Sequence, residues 1–382
     1  MTYQAYAICT PGLEEIVEQE LLDLGITIPS AGKSAPDGSG EDSGGVAFEA
    51  SLEQIYLANL HIRCASRVIV RVGEFDSIGF SDFRKKTARL PWEQYLRPGS
   101  DLTLHVTCRK SRLYHSAAVA REVAAAISQK LGKPSALVKA TDEGADKAQM
   151  IVARIVNDHV TLSLDTSGEL LHRRGYRLQT AKAPLRETLA AGLLMLAGWQ
   201  PEYPLLDPFC GSGTIAIEAA LLARRIAPGR NRRFAFMGWA NFSKKNYGVI
   251  LDKARADEVK APLNIFGSDR DAGAIEIARA NAERAGASGG IHFTQQAFSA
   301  VEAPADAGWL VSNPPYGVRV SPTSDLRNLF TRLGDILRGD FSGWHYGILC
   351  ADTILAGHMR VKPARVVDLV NGGIGVKYYV GG

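Results

Sequence analysis

Much of what would point to a common function is missing from this chain. Only five of its 382 residues are cysteine, at positions 9, 64, 108, 210 and 350. They stand far apart with no C-x-x-C pair, so neither a disulfide frame nor a zinc site is expected, and the usage fits a reducing compartment. The eight histidines form no H-E-x-x-H or similar cluster, and no metal site is expected. No G-x-G-x-x-G and no G-x-x-x-x-G-K-S/T phosphate cradle occurs, which argues against a dinucleotide dehydrogenase and a triphosphate enzyme. No apolar run approaches the ~20 residues of a membrane helix. The opening MTYQAYAICTPGLEEIVEQELLDLG is acidic early and lacks a secretion pattern, so a cytoplasmic protein without membrane association is expected.

The most informative segment present is Val311-Ser312-Asn313-Pro314-Pro315-Tyr316. An Asn-Pro-Pro-Tyr at the end of an apolar strand suits an amino group conjugated to an aromatic base. The Asn313 side-chain oxygen and the Pro314 carbonyl can accept its two N–H bonds. Pro314 and Pro315 fix φ and stiffen that carbonyl, and Tyr316 offers a ring face. The plainer reading is a proline-rich turn closing a strand.

Upstream, LLDPFCGSGTIAIEAA at 205–220 predicts a strand, a glycine turn and a helix. That order makes a nucleotide-binding elbow, because glycines let the backbone approach a ligand. Asp207 before the glycines suits a cationic ligand tail better than a pyrophosphate. A generic strand–helix turn is the alternative. Next, 263–269 predicts a strand ending in Asp269, where a dinucleotide-type fold grips ribose hydroxyls. A helix follows over 271–286, with Asp271 its expected N-cap and Gly286 at its end.

Together these segments resemble the class I S-adenosylmethionine-dependent methyltransferases, in the branch that methylates amino groups. The resemblance implies a seven-stranded Rossmann-like α/β domain over 183–382 with S-adenosylmethionine as cofactor. It implies that Asp207, Cys210, Gly211, Ser212, Gly213 and Thr214 hold the methionine part and that Asp269, with Arg270 beside it, holds the ribose. Asn313, Pro314, Pro315 and Tyr316 would receive the amine, Asn313 also bordering the cofactor. One departure follows the third strand, where the family usually has an acidic residue reaching the adenine amine. Here the chain reads Thr294-Gln295-Gln296-Ala297, and Gln296, with Ala297 beside it, is the replacement.

Earlier segments form a separate unit. A strand from Tyr3 to Ile8, a turn at Pro11-Gly12, a helix to Gly25, a Gly/Ser/Pro-rich loop over 30–45, a helix over 52–60 and a strand over 67–75 predict a ferredoxin-like unit at 1–75. A strand over 101–108, a basic loop, a helix over 117–131 and a hairpin turning at Asn157-Asp158 follow. Residues 109–127, RKSRLYHSAAVAREVAAAI, resemble the helix region of THUMP domains, which bind RNA. A THUMP-like domain is therefore expected at 76–165, with a linker at 166–182. That linker and APLRETLAAGLL at 183–194 resemble the junction in bacterial THUMP-containing RNA methyltransferases.

The net charge of +4 permits nucleic-acid binding without proving it. The charge is clustered, in HRRGYR at 172–177 and in seven basic residues with no acidic one between Leu221 and Lys245, interleaved with Phe234, Phe236, Trp239 and Phe242. Basic and aromatic residues together suit phosphates and unstacked bases; a solvated charged face is the alternative. Candidate RNA contacts are Arg112, Arg173, Arg174, Arg177, Arg232 and Arg233. The whole-chain resemblance is to guanine-N2 methyltransferases of large-subunit (23S) ribosomal RNA and, more distantly, to tRNA guanine-N2 enzymes. Because Asn-Pro-Pro-Tyr is shared, a DNA adenine-N6 methyltransferase and an inactive RNA-binding relative remain competing readings.

Overall fold

The structure, a computed structural model, describes residues 2–29, 44–139, 147–177, 185–316 and 323–382, with the side chains of 323–325 left out of the description. The loop expected over 30–45 falls there only at residues 44–45, and the linker end at 178–182 lies outside. The chain divides into two compact units, Met1–Cys9 with Glu18–Leu171 and Arg232–Asp252, and Thr10–Val17 with His172–Asn231 and Lys253–Gly382.

The first unit is built on one sheet. Its elements are β1 (Tyr3–Cys9), the latter part of α1 (Glu14–Asp23), β2 (Gly44–Ala50), α2 (Leu52–His61), β3 (Ala65–Asp76), α3 (Phe80–Ala88), β4 (Leu102–Arg109), α4 (Ser116–Leu131), β5 (Gln149–Val156) and β6 (His159–Asp165). The strand order is β2-β1-β3-β6-β5-β4. The ferredoxin-like and THUMP parts are thus continuous. Strand β3 pairs with β1 along one edge (Ala5 opposite Val70) and with β6 along the other (Asp76 opposite His159).

The β5–β6 hairpin turns at Asn157 and Asp158, with φ of 51° and 65°. Those left-handed values are what Asn and Asp tolerate in a two-residue hairpin. Helix α3 was not foreseen. Among FSDFRKKTA only Phe83 and Thr87 are buried, too narrow a stripe to register as a period.

The basic–aromatic stretch corrects an expectation. Phe234, Phe236 and Trp239 are core residues of this unit, each no more than 1% exposed. Phe236 stacks on Tyr56 at 4.6 Å, and the Trp239 indole donates to Gln149 Oε1 at 2.8 Å. Rings so placed hold the unit together and present no face to a base. The stretch continues into α7 (Lys244–Ala256).

The second unit contains α5 (Glu187–Leu196), β7 (Leu205–Asp207), α6 (Thr214–Ala223), β8 (Ile265–Asp269), α8 (Ala272–Arg284), β9 (Ile291–Gln295), β10 (Trp309–Ser312), α9 (Thr323–Arg338), β11 (His345–Cys350), α10 (Thr353–Gly357), β12 (Arg365–Asn371) and β13 (Ile374–Gly381). Its seven strands run β12-β13-β11-β10-β7-β8-β9. Strands β9, β8, β7, β10 and β11 are parallel, and β13 is antiparallel to β11. This is the expected Rossmann-like methyltransferase sheet with its final hairpin. The final hairpin turns at Gly372-Gly373. Asn371 pairs with Ile374, and Gly372 and Gly373 take φ of 60° and 84°. Both turn positions need a positive φ, which glycine takes without a Cβ penalty.

Strand order reverses between β7 and β10. In open parallel sheets, ligands bind at such a switch point, beyond the carboxyl ends of the strands.

Candidate active site

Asp207 ends β7 and Ser312 ends the neighbouring β10. Both are buried, and the Ser312 hydroxyl donates to Asp207 Oδ1 at 2.5 Å. The Phe209 N–H donates to the same oxygen at 3.2 Å. Burial pushes the Asp207 carboxyl up to about 7; these two hydrogen bonds hold it back, and the charge of Asp269 raises it further. A buried acid in this state gains from a cationic partner.

The turn after β7 is fixed at several atoms. The Cys210 N–H donates to the Ser268 carbonyl at 3.0 Å, and the Gly211 N–H to Asp269 Oδ2 at 3.1 Å. Gly213 has φ of 81°, and a Cβ there would come within 2.9 Å of the Phe293 ring. Gly211 also has a positive φ, but a Cβ there would meet nothing within 4 Å. One glycine permits close packing against Phe293; the other leaves the turn open on its own side. Helix α6 begins at Thr214, so the first backbone N–H groups of a helix follow the turn.

Asp269 ends β8, and its Oδ1 accepts the Asp271 N–H at 3.0 Å. Asp271 caps α8 through Gly273 and Ala274, as its position predicts. Asp269 therefore keeps acceptor capacity at the strand tip, having two oxygens with several lone-pair directions. Arg270 is exposed. The Gln296 N–H donates to the Asp269 carbonyl at 2.9 Å, and its side-chain nitrogen donates to the Ala300 carbonyl, leaving the amide oxygen to accept. Ala297 is exposed and precedes the short helix 298–300. Phe209 and Phe298 face each other at 4.8 Å beside this group, a pair that no sequence signal marked.

Asn313 follows Ser312 directly. Its Oδ1 is buried and accepts no hydrogen bond among the described residues. A buried carbonyl oxygen left alone costs roughly 1–3 kcal/mol, so the atom is poised for a donor. Tyr316 is half-buried, and its hydroxyl accepts from Asn371 Nδ2 at 3.0 Å, which tethers the motif to the final hairpin. Residues 317–319, part of the same sequence motif, lie outside the described residues.

The candidate RNA contacts separate into two groups. Arg112, Arg173 and Arg233 are exposed. Arg174 and Arg177 turn inward. Arg174 is 6% exposed and lies 3.6 Å from the buried Glu218, while Arg177 donates to Glu187 at 2.8 Å. Burial pushes the Glu187 carboxyl up to about 7, and Arg177 limits the rise. Arg232 donates to the carbonyls of Leu170 and Glu169 at 2.9 and 2.6 Å. These three arginines are engaged within their units, which corrects their expected place on an RNA-facing surface. Sequence reasoning passed over Tyr114, which is 66% exposed and lies against the His115 ring at 4.0 Å, tilted by 40°, in the basic loop before α4.

Three family models match the chain: the RlmL ferredoxin-like domain over 4–69, the THUMP domain over 79–165, and the RMKL-like methyltransferase domain over 174–379. A Synechocystis relative named "Putative RNA methyltransferase slr0064" is 33% identical over 97% of this chain and 94% of its own length. The "Ribosomal RNA large subunit methyltransferase K/L" of Syntrophotalea carbinolica is 34% identical over 97% of this chain, which spans 52% of that protein. The structure of SMU.472, complexed with SAH, superposes with a TM-score of 0.87 at 29% identity, covering 99% of this chain and 97% of the other. A Listeria monocytogenes structure described as a "predicted N6-adenine-specific DNA methylase" has a TM-score of 0.87 at 33% identity, covering 100% of this chain and 96% of the other.

Proposed function

Since the chain belongs to the RMKL-like methyltransferase family, we propose that it methylates RNA from S-adenosylmethionine, at the exocyclic N2 amine of a guanine in 23S ribosomal RNA. The observation that carries this reading is the buried, unsatisfied Oδ1 of Asn313 one residue from the Ser312–Asp207 hydrogen bond. An acceptor free for an amine, next in sequence to a residue bonded to a carboxylate suited to a cationic ligand tail, supports this reading.

S-adenosylmethionine, when bound, supplies a methyl on a sulfonium, which already carries a good leaving group. Asp207 and the turn Cys210 to Thr214 hold the methionine end, and Asp269, flanked by Arg270, the ribose. Gln296 and Ala297 border the adenine, which the Phe209–Phe298 pair flanks. The target guanine leaves its stack at a cost of roughly a few kcal/mol. Asn313 Oδ1 and the Pro314 carbonyl accept the two N–H bonds of N2. That grip turns the nitrogen lone pair toward the methyl, and Pro315 and Tyr316 stiffen and wall the pocket. Positioning thus supplies most of the rate enhancement. The amine proton leaves during or after transfer, to solvent or to a nearby acceptor.

The first unit holds the RNA. Its ferredoxin-like part (1–75) and THUMP part (76–165) precede a linker (166–182) and the methyltransferase domain (183–382). Tyr114 offers an exposed ring to a base, and Arg112 a charge to a phosphate. Arg173 and Arg233 add exposed charge elsewhere on the chain.

Nucleoside mass spectrometry of ribosomal RNA, transfer RNA and DNA from a deletion strain tests the reading. Loss of N2-methylguanosine from 23S RNA is the expected result. Its loss from transfer RNA alone would move the substrate there, and loss of N6-methyladenine from DNA would replace the reading.

A further inference from the structure

The motif HRRGYR contributes no atom to the cofactor or amine sites described above, yet two of its side chains are buried in the second unit. Tyr176 is 3% exposed, and Glu218 and Asn281 are fully buried. Burying a carboxylate on the alanine-rich helix α6 is costly unless it is partnered. The Tyr176 hydroxyl donates to Glu218 Oε1 at 3.0 Å, with Arg174 close by. From the backbone of the same tyrosine a second chain of bonds leads to the cofactor turn. Arg284 Nε donates to the Tyr176 carbonyl at 2.7 Å, and Arg284 Nη2 donates to Asn281 Oδ1 at 2.5 Å. Asn281 Nδ2 donates to the Ser212 carbonyl at 3.0 Å.

We propose that Tyr176, Arg284 and Asn281 are positioning residues that set the geometry of the cofactor-binding turn; the proposal rests on the cofactor reading above. The Asn281 amide cannot rotate. Its oxygen is committed to Arg284 and its nitrogen to Ser212, and reversing it would set like groups against each other on both sides. The Ser212–Gly213 peptide is therefore locked from behind. Its other end is held as well, the Gly213 N–H donating to the Cys210 carbonyl at 2.8 Å. A rotation of that peptide would break the bonds at both ends and displace the turn.

Packing alone does not call for this arrangement. Ala216, Ala278 and Phe293 already fill the space around α6 and α8 with apolar contact. A polar chain in such a place gives little net stability over a hydrophobic one. What it adds is direction, because each hydrogen bond accepts only a narrow range of orientations.

Asn281→Asp in the full chain separates positioning from packing. The variant is isosteric and keeps its bond to Arg284, now as an ion pair. It loses the donor to Ser212 and sets a carboxylate against that carbonyl. Calorimetry with S-adenosylhomocysteine should show a Kd raised about tenfold or more, the scale of one lost buried hydrogen bond. The KM for RNA should stay within about twofold, a change too small for a lost contact. Should this variant fail to fold, Arg284→Lys keeps the charge and one of the two bonds, and its Kd should rise by a smaller factor. An unchanged Kd in the variant that folds overturns the proposal, as does an equal rise in Kd and in KM for RNA. A native protein that binds no S-adenosylhomocysteine overturns the cofactor reading along with it.

Discussion

The Ser312 hydroxyl reaches Asp207 Oδ1 at 2.5 Å and so joins the carboxyl ends of β10 and β7 at the point where strand order reverses. One end carries the Asn-Pro-Pro-Tyr motif and the other the glycine turn. The bond gives the two halves of the proposed site a common fixed point.

Asp207 gives the protein a pH-dependent stability. Its carboxyl ionises near 7 when folded, against an ordinary 3.8. A raised acid favours the folded state fully at low pH, where both forms are protonated. That contribution declines as pH rises from about 4 to about 7, and is gone above. Asp207→Asn removes the decline while keeping acceptors for Ser312 and Phe209. The ligand-free variant should therefore melt higher than the native protein at pH 8, by up to roughly 4 kcal/mol of stability, and the gap should narrow at pH 5. Its affinity for S-adenosylhomocysteine should fall. Scanning calorimetry at both pH values and a binding titration check both.

Asn313→Ala should lower the single-turnover methylation rate by roughly 10²–10³-fold, the usual scale for a donor or acceptor used mainly in the transition state. Cofactor affinity should stay close to native. A variant of near-native rate would show that the motif is only a turn.

Tyr114→Ala should weaken RNA binding by about 1–3 kcal/mol, the typical contribution of one stacked base. It should leave the slope of log affinity against log salt unchanged. Arg112→Ala should lower that slope by about 1. Filter binding over a salt series distinguishes the two contacts, and equal effects on slope would remove Tyr114 from the interface.

Arg177→Ala should act on the fold. It leaves Glu187 buried without its cation, a change that costs roughly 3–5 kcal/mol. Chemical denaturation should register that loss. Were the RNA salt slope to fall while stability held, Arg177 would return to the RNA-facing group.

The second unit was legible in the sequence because its strand ends carry residues of restricted chemistry. Asp207, Asp269 and Asn313 each close an apolar strand, and glycine or proline follows or lies within two residues. The first unit was half legible. The β5–β6 turn was visible because Asn157-Asp158 tolerate left-handed φ, whereas the merging of its two parts through β3 was not, since no local pattern states which strand lies next to which. Charge misled where burial decided. Arg174 and Arg177 read as cations for RNA, whereas Arg174 lies beside Glu218 far along the chain and Arg177 bonds Glu187, ten residues on. The aromatics at 234–239 misled in the same way, their partners Tyr56 and Gln149 lying far back in the chain.

The membership of the two compact units has a practical consequence. Each takes in a stretch of chain from beyond its main run, Arg232–Asp252 in one case and Thr10–Val17 in the other. No single cut therefore yields either unit whole. A fragment starting near residue 180 would carry Phe234, Phe236 and Trp239 stripped of their core and would lack the turn at Gly12, whose α-carbon packs against the Asp368 carbonyl. Such a fragment should be sticky and poorly folded whatever its catalytic competence. Separating the proposed RNA-holding and methyl-transfer roles calls for point substitutions in the intact chain.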